Sequence, residues 1–327
     1  MAASPSIAVV IAAYNAEDTI GRAVGSAMAS PHVAEVIVVD DLSTDGTVEA
    51  ARQAARTDSR LAILRQDRNQ GPSAARNRAL RESRAPFVAV LDADDYLLPG
   101  RFEAMLAKQD WDLCADNIIF VQDDPEAMAD EPDPTADCEP CHLSFETFVL
   151  GNISKRNRWR GELGFLKTLM RRDFLEQHGL SYDEDCRLGE DFLLYTQALA
   201  KGARFKILGR SGYAALLRNN SLSSRHGAPE LGAYVTAEKR ILDTFALTAS
   251  ERGALRRHLA SMRRKWVHRV VLDKKKRSGL VSGLATAAMN PSAVVDIMLD
   301  YLAPPNGATD SEQRHLLSPS DLQRLRQ

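Results

Sequence analysis

Four short apolar runs near the amino terminus constrain this chain more than any other feature. Residues 7–12, 36–39, 61–64 and 87–91 are continuously hydrophobic instead of alternating, the pattern of strands covered on both faces within a parallel sheet. Helical patterns lie between them. Residues 19–29 put Ile20, Ala23, Val24 and Ala27 on one face, Thr44 or Asp45 can cap a helix over 46–56, and Ser73 can cap one over 74–83. The order β-α-β-α-β-α-β predicts a doubly wound α/β domain. At 327 residues and 44% hydrophobic, the chain has ample apolar surface for its core.

Sheets of this kind bind ligands beyond the carboxyl ends of their strands. Those ends carry Ala13-Tyr14-Asn15, then Asp40-Asp41, then Asp92-Ala93-Asp94-Asp95. The turn after the first strand has no glycine, so the pyrophosphate-binding signature of nicotinamide and flavin enzymes is missing. Carboxylates crowded on one tight turn repel unless a cation or hydrogen-bond donors compensate them. Asp92, Asp94 and Asp95 are therefore either an oxygen-donor set for Mg²⁺ or Mn²⁺, typically completed by substrate phosphates, or a solvated acidic turn.

Further motifs accompany that turn in a fixed order. They are Val38-Val39-Asp40-Asp41-Leu42-Ser43-Thr44-Asp45-Gly46-Thr47, then Asn69-Gln70-Gly71-Pro72-Ser73-Ala74-Ala75-Arg76-Asn77, then Gly189-Glu190-Asp191. Together with Ala13-Tyr14-Asn15 and Leu91-Asp92-Ala93-Asp94-Asp95, this series resembles the family-2 glycosyltransferases, nucleotide-sugar enzymes of GT-A fold. The resemblance covers about residues 6–226, and within the family the amino-terminal stretch is most similar to bacterial exopolysaccharide glucosyltransferases of the succinoglycan-assembly kind.

The resemblance implies roles for particular residues. Asp41 is the carboxylate expected on the uracil, with Ala13 and Tyr14 lining the base pocket and Arg76 beside the nucleotide. Asp92, Asp94 and Asp95 form the D-x-D element, one carboxylate reaching ribose and another the metal, with the choice between Asp94 and Asp95 as metal ligand open. Asp191 corresponds to the catalytic base and Glu190 to an acceptor contact. The chemistry itself requires such a base, because an acceptor hydroxyl attacking an anomeric carbon must lose its proton. Ser223, Arg225 and His226 fall in a segment similar to the family's mobile basic loop, which closes on the diphosphate.

The expected activity is metal-dependent, inverting transfer of a single sugar, glucose, from a UDP-sugar donor to a saccharide acceptor carried on a lipid. Processive synthases of the wider family carry a Gln-x-x-Arg-Trp element after the base; none follows Asp191, and Arg158-Trp159 precedes it without the glutamine. A nucleotidyltransferase on a similar sheet would need a glycine-rich basic loop after the first strand, which is absent. A catalytically inactive sugar-nucleotide-binding or scaffold protein is the other alternative, against which the intact Asp94, Asp95 and Asp191 argue.

The motifs assign residues 1–228 to a GT-A domain, with 1–122 as its nucleotide-binding half and 123–228 as its acceptor half. Residues 229–327 read as a helical extension. The formal charge of −2 conceals an asymmetry: residues 251–277 hold eleven Lys and Arg against Glu251 and Asp273, a net +9, which leaves −11 elsewhere. Within that segment Leu255, Leu259, Met262, Trp266 and Val270 recur at helical spacing. Such a helix either lies on an anionic membrane surface or packs on the enzyme, and with one aromatic residue in the basic run, nucleic acid is not an expected partner. The amino terminus lacks a signal-peptide pattern, so a cytoplasmic location, peripheral at the inner face of the membrane, is expected. The longest uncharged run, residues 278–295, includes Asn290 and Pro291 and reads poorly as a membrane span. Cys138 and Cys141 match a c-type haem spacing, but without export they are expected, like Cys114 and Cys186, to be thiols.

Overall fold

The computed structural model describes residues 6–122, 133–153, 162–217, 227–288 and 315–326. The chain opens as β1 (Ile7–Ala13), α1 (Glu17–Met28), β2 (Val33–Asp40), α2 (Thr47–Ala55), β3 (Leu61–Arg65), α3 (Pro72–Glu82) and β4 (Phe87–Val90). Residues 7–11 and 88–90 are buried throughout, as their unbroken hydrophobicity requires. β3, at the sheet edge, is only partly covered. The caps differ from expectation: Gly46 and Gly71 occupy the N-cap positions of α2 and α3, and the Ser73 hydroxyl instead donates to the Cys186 carbonyl at 2.8 Å.

A second group follows: β5 (Tyr96–Leu97), α4 (Arg101–Leu106), β6 (Leu113–Val121), β7 (Cys141–Leu143), α5 (Phe145–Gly151), β8 (Thr168–Arg171), α6 (Arg172–Gln177), α7 (Glu190–Ala200) and β9 (Phe205–Leu216). The strands form one sheet in the order β3-β2-β1-β4-β8-β6-β9-β5, with β7 also on β9. The β3-β2-β1-β4 half is parallel, as expected. Beyond β4 the sheet is mixed, because β8 runs antiparallel to both β4 and β6. That reversal brings the start of β8 to the carboxyl end of β4, the edge at which the sequence leads one to expect a ligand.

The carboxyl-terminal helices α8 (Ala228–Thr244), α9 (Ala249–Ala288, broken at Gly279) and α10 (Pro319–Leu325) share the main core through Tyr234, Ile241, Leu255, Met262 and Leu322. α9 packs against α8 and α5. Buried His258 of α9 pairs with buried Glu238 of α8 at 2.8 Å and stacks on Phe192 of α7 at 4.4 Å. Leu255 and Met262 of the basic segment are thus buried and Leu259 packs against the core, while Arg256, Arg257, Arg263, Arg269 and residues 274–277 are exposed. Residues 315–317 then return to β6: the Asn117 side chain donates to the Leu317 carbonyl at 2.8 Å and accepts from its N–H at 3.0 Å. Among the described residues no helix is long and apolar enough to cross a membrane. The four cysteines are free thiols, and burial pushes Cys141 up to about 11 and Cys186 up to about 12.

Candidate active site

The loops after β1 and β2 are tied to each other. Asn15 N–H donates to Ser43 Oγ at 2.9 Å, and the Asn15 side chain accepts from Thr44 N–H at 2.9 Å. Asn15 (φ 50°) and Leu42 (φ 67°) both take up left-handed backbone, an uncommon conformation that marks local constraint. Among the described residues, Tyr14 and Leu42 are the large apolar side chains that stand out in water, 50% and 38% exposed. Their place at the carboxyl ends of β1 and β2 suits a surface for a flat base. Asp41 is buried, and its carboxylate accepts from the N–H groups of Gln70 (2.8 Å) and Gly71 (2.7 Å). It braces the loop entering α3, where Gly71 has φ 88°; Oδ1 also accepts from the Gln66 amide at 3.3 Å, so Oδ2 is the oxygen that retains a second lone pair for a ligand.

The three carboxylates after β4 divide by environment. Asp95 is buried; its oxygens accept from Tyr213 Oη (2.7 Å) and Leu216 N–H (2.9 Å), both on β9. Burial, together with the charges of Asp92 and Asp94, pushes its carboxyl up to about 8. The Tyr213 oxygen also accepts from Asp92 N–H at 3.1 Å, so Asp95 and Tyr213 fix the shape of the turn. Asp94 occupies a half-buried position of that turn. Both oxygens of Asp95 are thus engaged on β9. Among the described residues no group of three or more His, Cys, Asp or Glu is arranged to hold a metal, so a cation here would need substrate oxygens to complete its shell, as Mg²⁺ commonly does.

Beside this turn lies a buried ionic cluster. Arg76 of α3, 4% exposed, donates to Asp92 Oδ1 and to Glu190 Oε1, each at 2.6 Å, and lies 3.7 Å from Asp191 Oδ1. Lys167, immediately before β8, places Nζ 2.7 Å from Asp191 Oδ2 and 2.9 Å from Asp92 Oδ2. Burial works against charge on both cations, but Asp191 with its neighbours outweighs it and holds each more firmly protonated than usual. Burial likewise opposes the Asp92 charge, and Lys167 and Arg76 overcome it, lowering that carboxyl. Asp191 Oδ1, Arg76 Nε and Tyr182 Oη are buried with no hydrogen-bond partner. Such atoms are costly in an interior unless a ligand serves them.

Local sequence explains how α7 delivers its acidic pair. Gly189 at φ 65° precedes Glu190 and Asp191, a left-handed turn that glycine takes without strain. Asn77 accepts from Tyr182 N–H and donates to the Tyr182 carbonyl, each at 2.9 Å, fixing the segment that leads to Gly189. The Arg76 guanidinium lies over the Tyr182 ring at 5.4 Å. Thus α3 binds the 182–190 segment, and Arg76 meets the acidic pair there as well as Asp92 of the turn after β4.

The structure accordingly brings Arg76, Asp92, Glu190 and Asp191 into direct contact and sets Asp94 and Asp95 on the adjoining turn. Ala13, Tyr14 and Asp41 lie at the ends of β1 and β2. Ser223, Arg225 and His226 lie outside the described residues. Lys167 and Tyr213 are additional members that sequence reasoning did not reach, since neither belongs to a motif.

Comparison with known proteins identifies the family. The sequence profile of glycosyl transferase family 2 matches residues 8–178, more than half of the chain. The chain belongs to that family. It is 44% identical over 306 residues to the succinoglycan biosynthesis protein ExoU of Rhizobium meliloti, covering 92% of this chain and 88% of that protein. To ExoO, another succinoglycan biosynthesis protein of the same organism, it is 33% identical, covering 91% and 86%. The crystal structure of residues 1–349 of S. aureus TarS with UDP-GlcNAc superposes with a TM-score of 0.62 at 20% identity, over 83% of this chain and 81% of that one. This likeness establishes the shared GT-A fold. The family-2 profile ends before Gly189, so the acidic pair of α7 lies beyond the matched residues.

Proposed function

We propose that this family-2 glycosyltransferase is an inverting, metal-dependent enzyme. It moves one glucose from UDP-glucose to a lipid-linked saccharide in exopolysaccharide assembly of the succinoglycan type. The observation that carries the reading is the meeting of Asp191 with the donor-side Asp92 across one buried pair of cations. Similarity to ExoU and ExoO over most of the chain supports the pathway, and the UDP-GlcNAc held by the related TarS fold supports a uridine nucleotide donor.

In this reading Tyr14 and Asp41 receive the base and Asp92 the ribose. Asp94 would hold Mg²⁺ or Mn²⁺, whose chemistry is to neutralise charge on the departing diphosphate. Asp191 Oδ1 accepts the proton of the acceptor hydroxyl as its oxygen bonds to the anomeric carbon. The bond from that carbon to the diphosphate oxygen breaks in line, releasing UDP and giving a β-linked product from an α-linked donor. Glu190, held by Arg76, is placed to contact the acceptor, and the exposed basic face of α9 provides an electrostatic contact with anionic lipid at the inner face of the membrane.

The test is UDP release with Mn²⁺ across UDP-glucose, UDP-galactose, UDP-N-acetylglucosamine and UDP-glucuronate, using lipid-linked oligosaccharide as acceptor. Turnover should be greatest with UDP-glucose and abolished by EDTA. Asp191→Asn should lower kcat by about 10²–10⁴ with UDP affinity retained; near-wild-type transfer by that variant would remove Asp191 from the role of base.

A further inference from the structure

Lys167 owes its place to topology. β8 is antiparallel to β4, with Leu169 opposite Ala89 and Met170 opposite Val88, so the residue just before β8 arrives beside the residues just after β4. We infer that Lys167 is a positioning residue for glycosyl transfer, holding the proposed base Asp191 at a fixed distance and orientation from the donor turn. The inference rests on the reading above and adds a residue to it.

One ammonium meets carboxylates from two elements, Asp191 of α7 at 2.7 Å and Asp92 of the donor turn at 2.9 Å. It does so through Asp191 Oδ2, leaving Oδ1 as the oxygen without a hydrogen-bond partner. Anchoring one oxygen of a carboxylate orients the other, and proton transfer depends strongly on such orientation. Arg76 does not duplicate this: its short contacts go to Asp92 Oδ1 and Glu190 Oε1, and its distance to Asp191 is 3.7 Å.

The backbone of Lys167 is itself fixed. Its carbonyl accepts from Arg101 Nη2 at 2.5 Å, and Arg101 is buried against Asp116 at 3.1 Å. The Arg101 guanidinium lies 5.1 Å over the ring of Tyr213, the same tyrosine whose hydroxyl donates to Asp95. The donor turn and the lysine beside the base are thereby referred to one residue of β9. A lysine suits the position because a compact charge fits between two converging carboxylates, whereas the planar fork of arginine would force them apart.

The full-length variants Lys167→Ala, Lys167→Met and Lys167→Arg test this by UDP-release kinetics, calorimetric UDP affinity and thermal unfolding. All three should lower kcat far more than they weaken UDP binding or raise donor KM, by about 10²-fold for the alanine variant, the scale of a misplaced reacting group. Methylammonium or ethylammonium should restore kcat in Lys167→Ala, where space is available, and not in Lys167→Met. A lysine that only stabilises the fold would lower the melting temperature without alkylammonium rescue, and one that binds donor would raise donor KM with kcat unchanged; either result overturns the proposal. If the alanine variant does not fold, Lys167→Met decides: lost kcat with intact UDP affinity supports the role, and loss of both overturns it. An active wild type matched by an equally active Lys167→Met would remove the lysine alone. A wild type that releases no UDP from any donor would remove the glycosyltransfer reading as well.

Discussion

A β-carbon on Gly189 would lie 2.1 Å from Cε2 of Tyr234, so the ring of α8 rests directly on the backbone that introduces Glu190 and Asp191. Because α8 is tied to α9 through Glu238 and His258, the carboxyl-terminal helices support the acidic pair. Gly189→Ala combines a left-handed φ with this collision. We expect a stability loss of about 1–3 kcal/mol in denaturant titration, with a fall in kcat as the acidic pair shifts. In Gly189→Ala/Tyr234→Ala the collision is gone and only the backbone strain remains, so the double variant should lose less than the sum of the single losses; strict additivity would show that the ring does not press on this turn.

Arg76 is the second point at which stability and chemistry meet. Removing it leaves Asp92 and Glu190, both partly buried, without their shortest partner. Arg76→Met is expected to destabilise by about 3–5 kcal/mol, the usual range for breaking one half of a buried pair. Adding Glu190→Gln should return part of that loss by removing one stranded charge. The measurement is chemical denaturation with the slope held constant; an Arg76→Met protein as stable as wild type would mean that water reaches the cluster.

How far the sequence revealed this site depends on whether each signal is local. Unbroken hydrophobicity marks β1, β2 and β4 because strands covered on both faces leave no polar position, and the strand ends then locate Asp41 and Asp92. Lys167 and Tyr213 are different. Lys167 enters only because β8 reverses direction beside β4, and a parallel arrangement would place the start of that strand at the far edge of the sheet. Tyr213 reaches Asp95 because β5 pairs antiparallel with β9, setting Leu97 opposite Tyr213. Neither pairing has a short-range signature. The basic segment shows the same limit: its helical period was legible, but only the tertiary structure shows its apolar stripe packed on α5 and α8.

The division of labour between Asp94 and Asp95 is open to direct measurement. Mn²⁺ binding in the presence of UDP, followed by electron paramagnetic resonance, should shift to higher metal concentration in Asp94→Asn. Asp95→Asn should keep metal binding close to wild type, because both oxygens of Asp95 face β9. Tyr213→Phe removes one hydrogen bond to Asp95 and the acceptor for Asp92 N–H, and should cost about 1–3 kcal/mol of stability. Equal weakening of Mn²⁺ binding by the Asp94 and Asp95 variants would contradict the assignment of Asp94 alone.

The basic face of α9 yields the last prediction. Since Leu255 and Met262 belong to the core, truncation at residue 251 would unfold the protein and could not report on membranes. Charge reversal of the exposed residues 274–277 leaves that packing untouched. With Leu255, Leu259 and Met262 packed on the core, the expected attraction to lipid is mainly electrostatic, and each basic residue near an anionic surface contributes about 1 kcal/mol. Flotation with vesicles containing anionic phospholipid should therefore recover the wild-type protein at low salt, lose it progressively as salt is raised, and recover little of the reversed variant. Binding that survives high salt, or that the variant retains in full, would place the membrane contact elsewhere on the molecule.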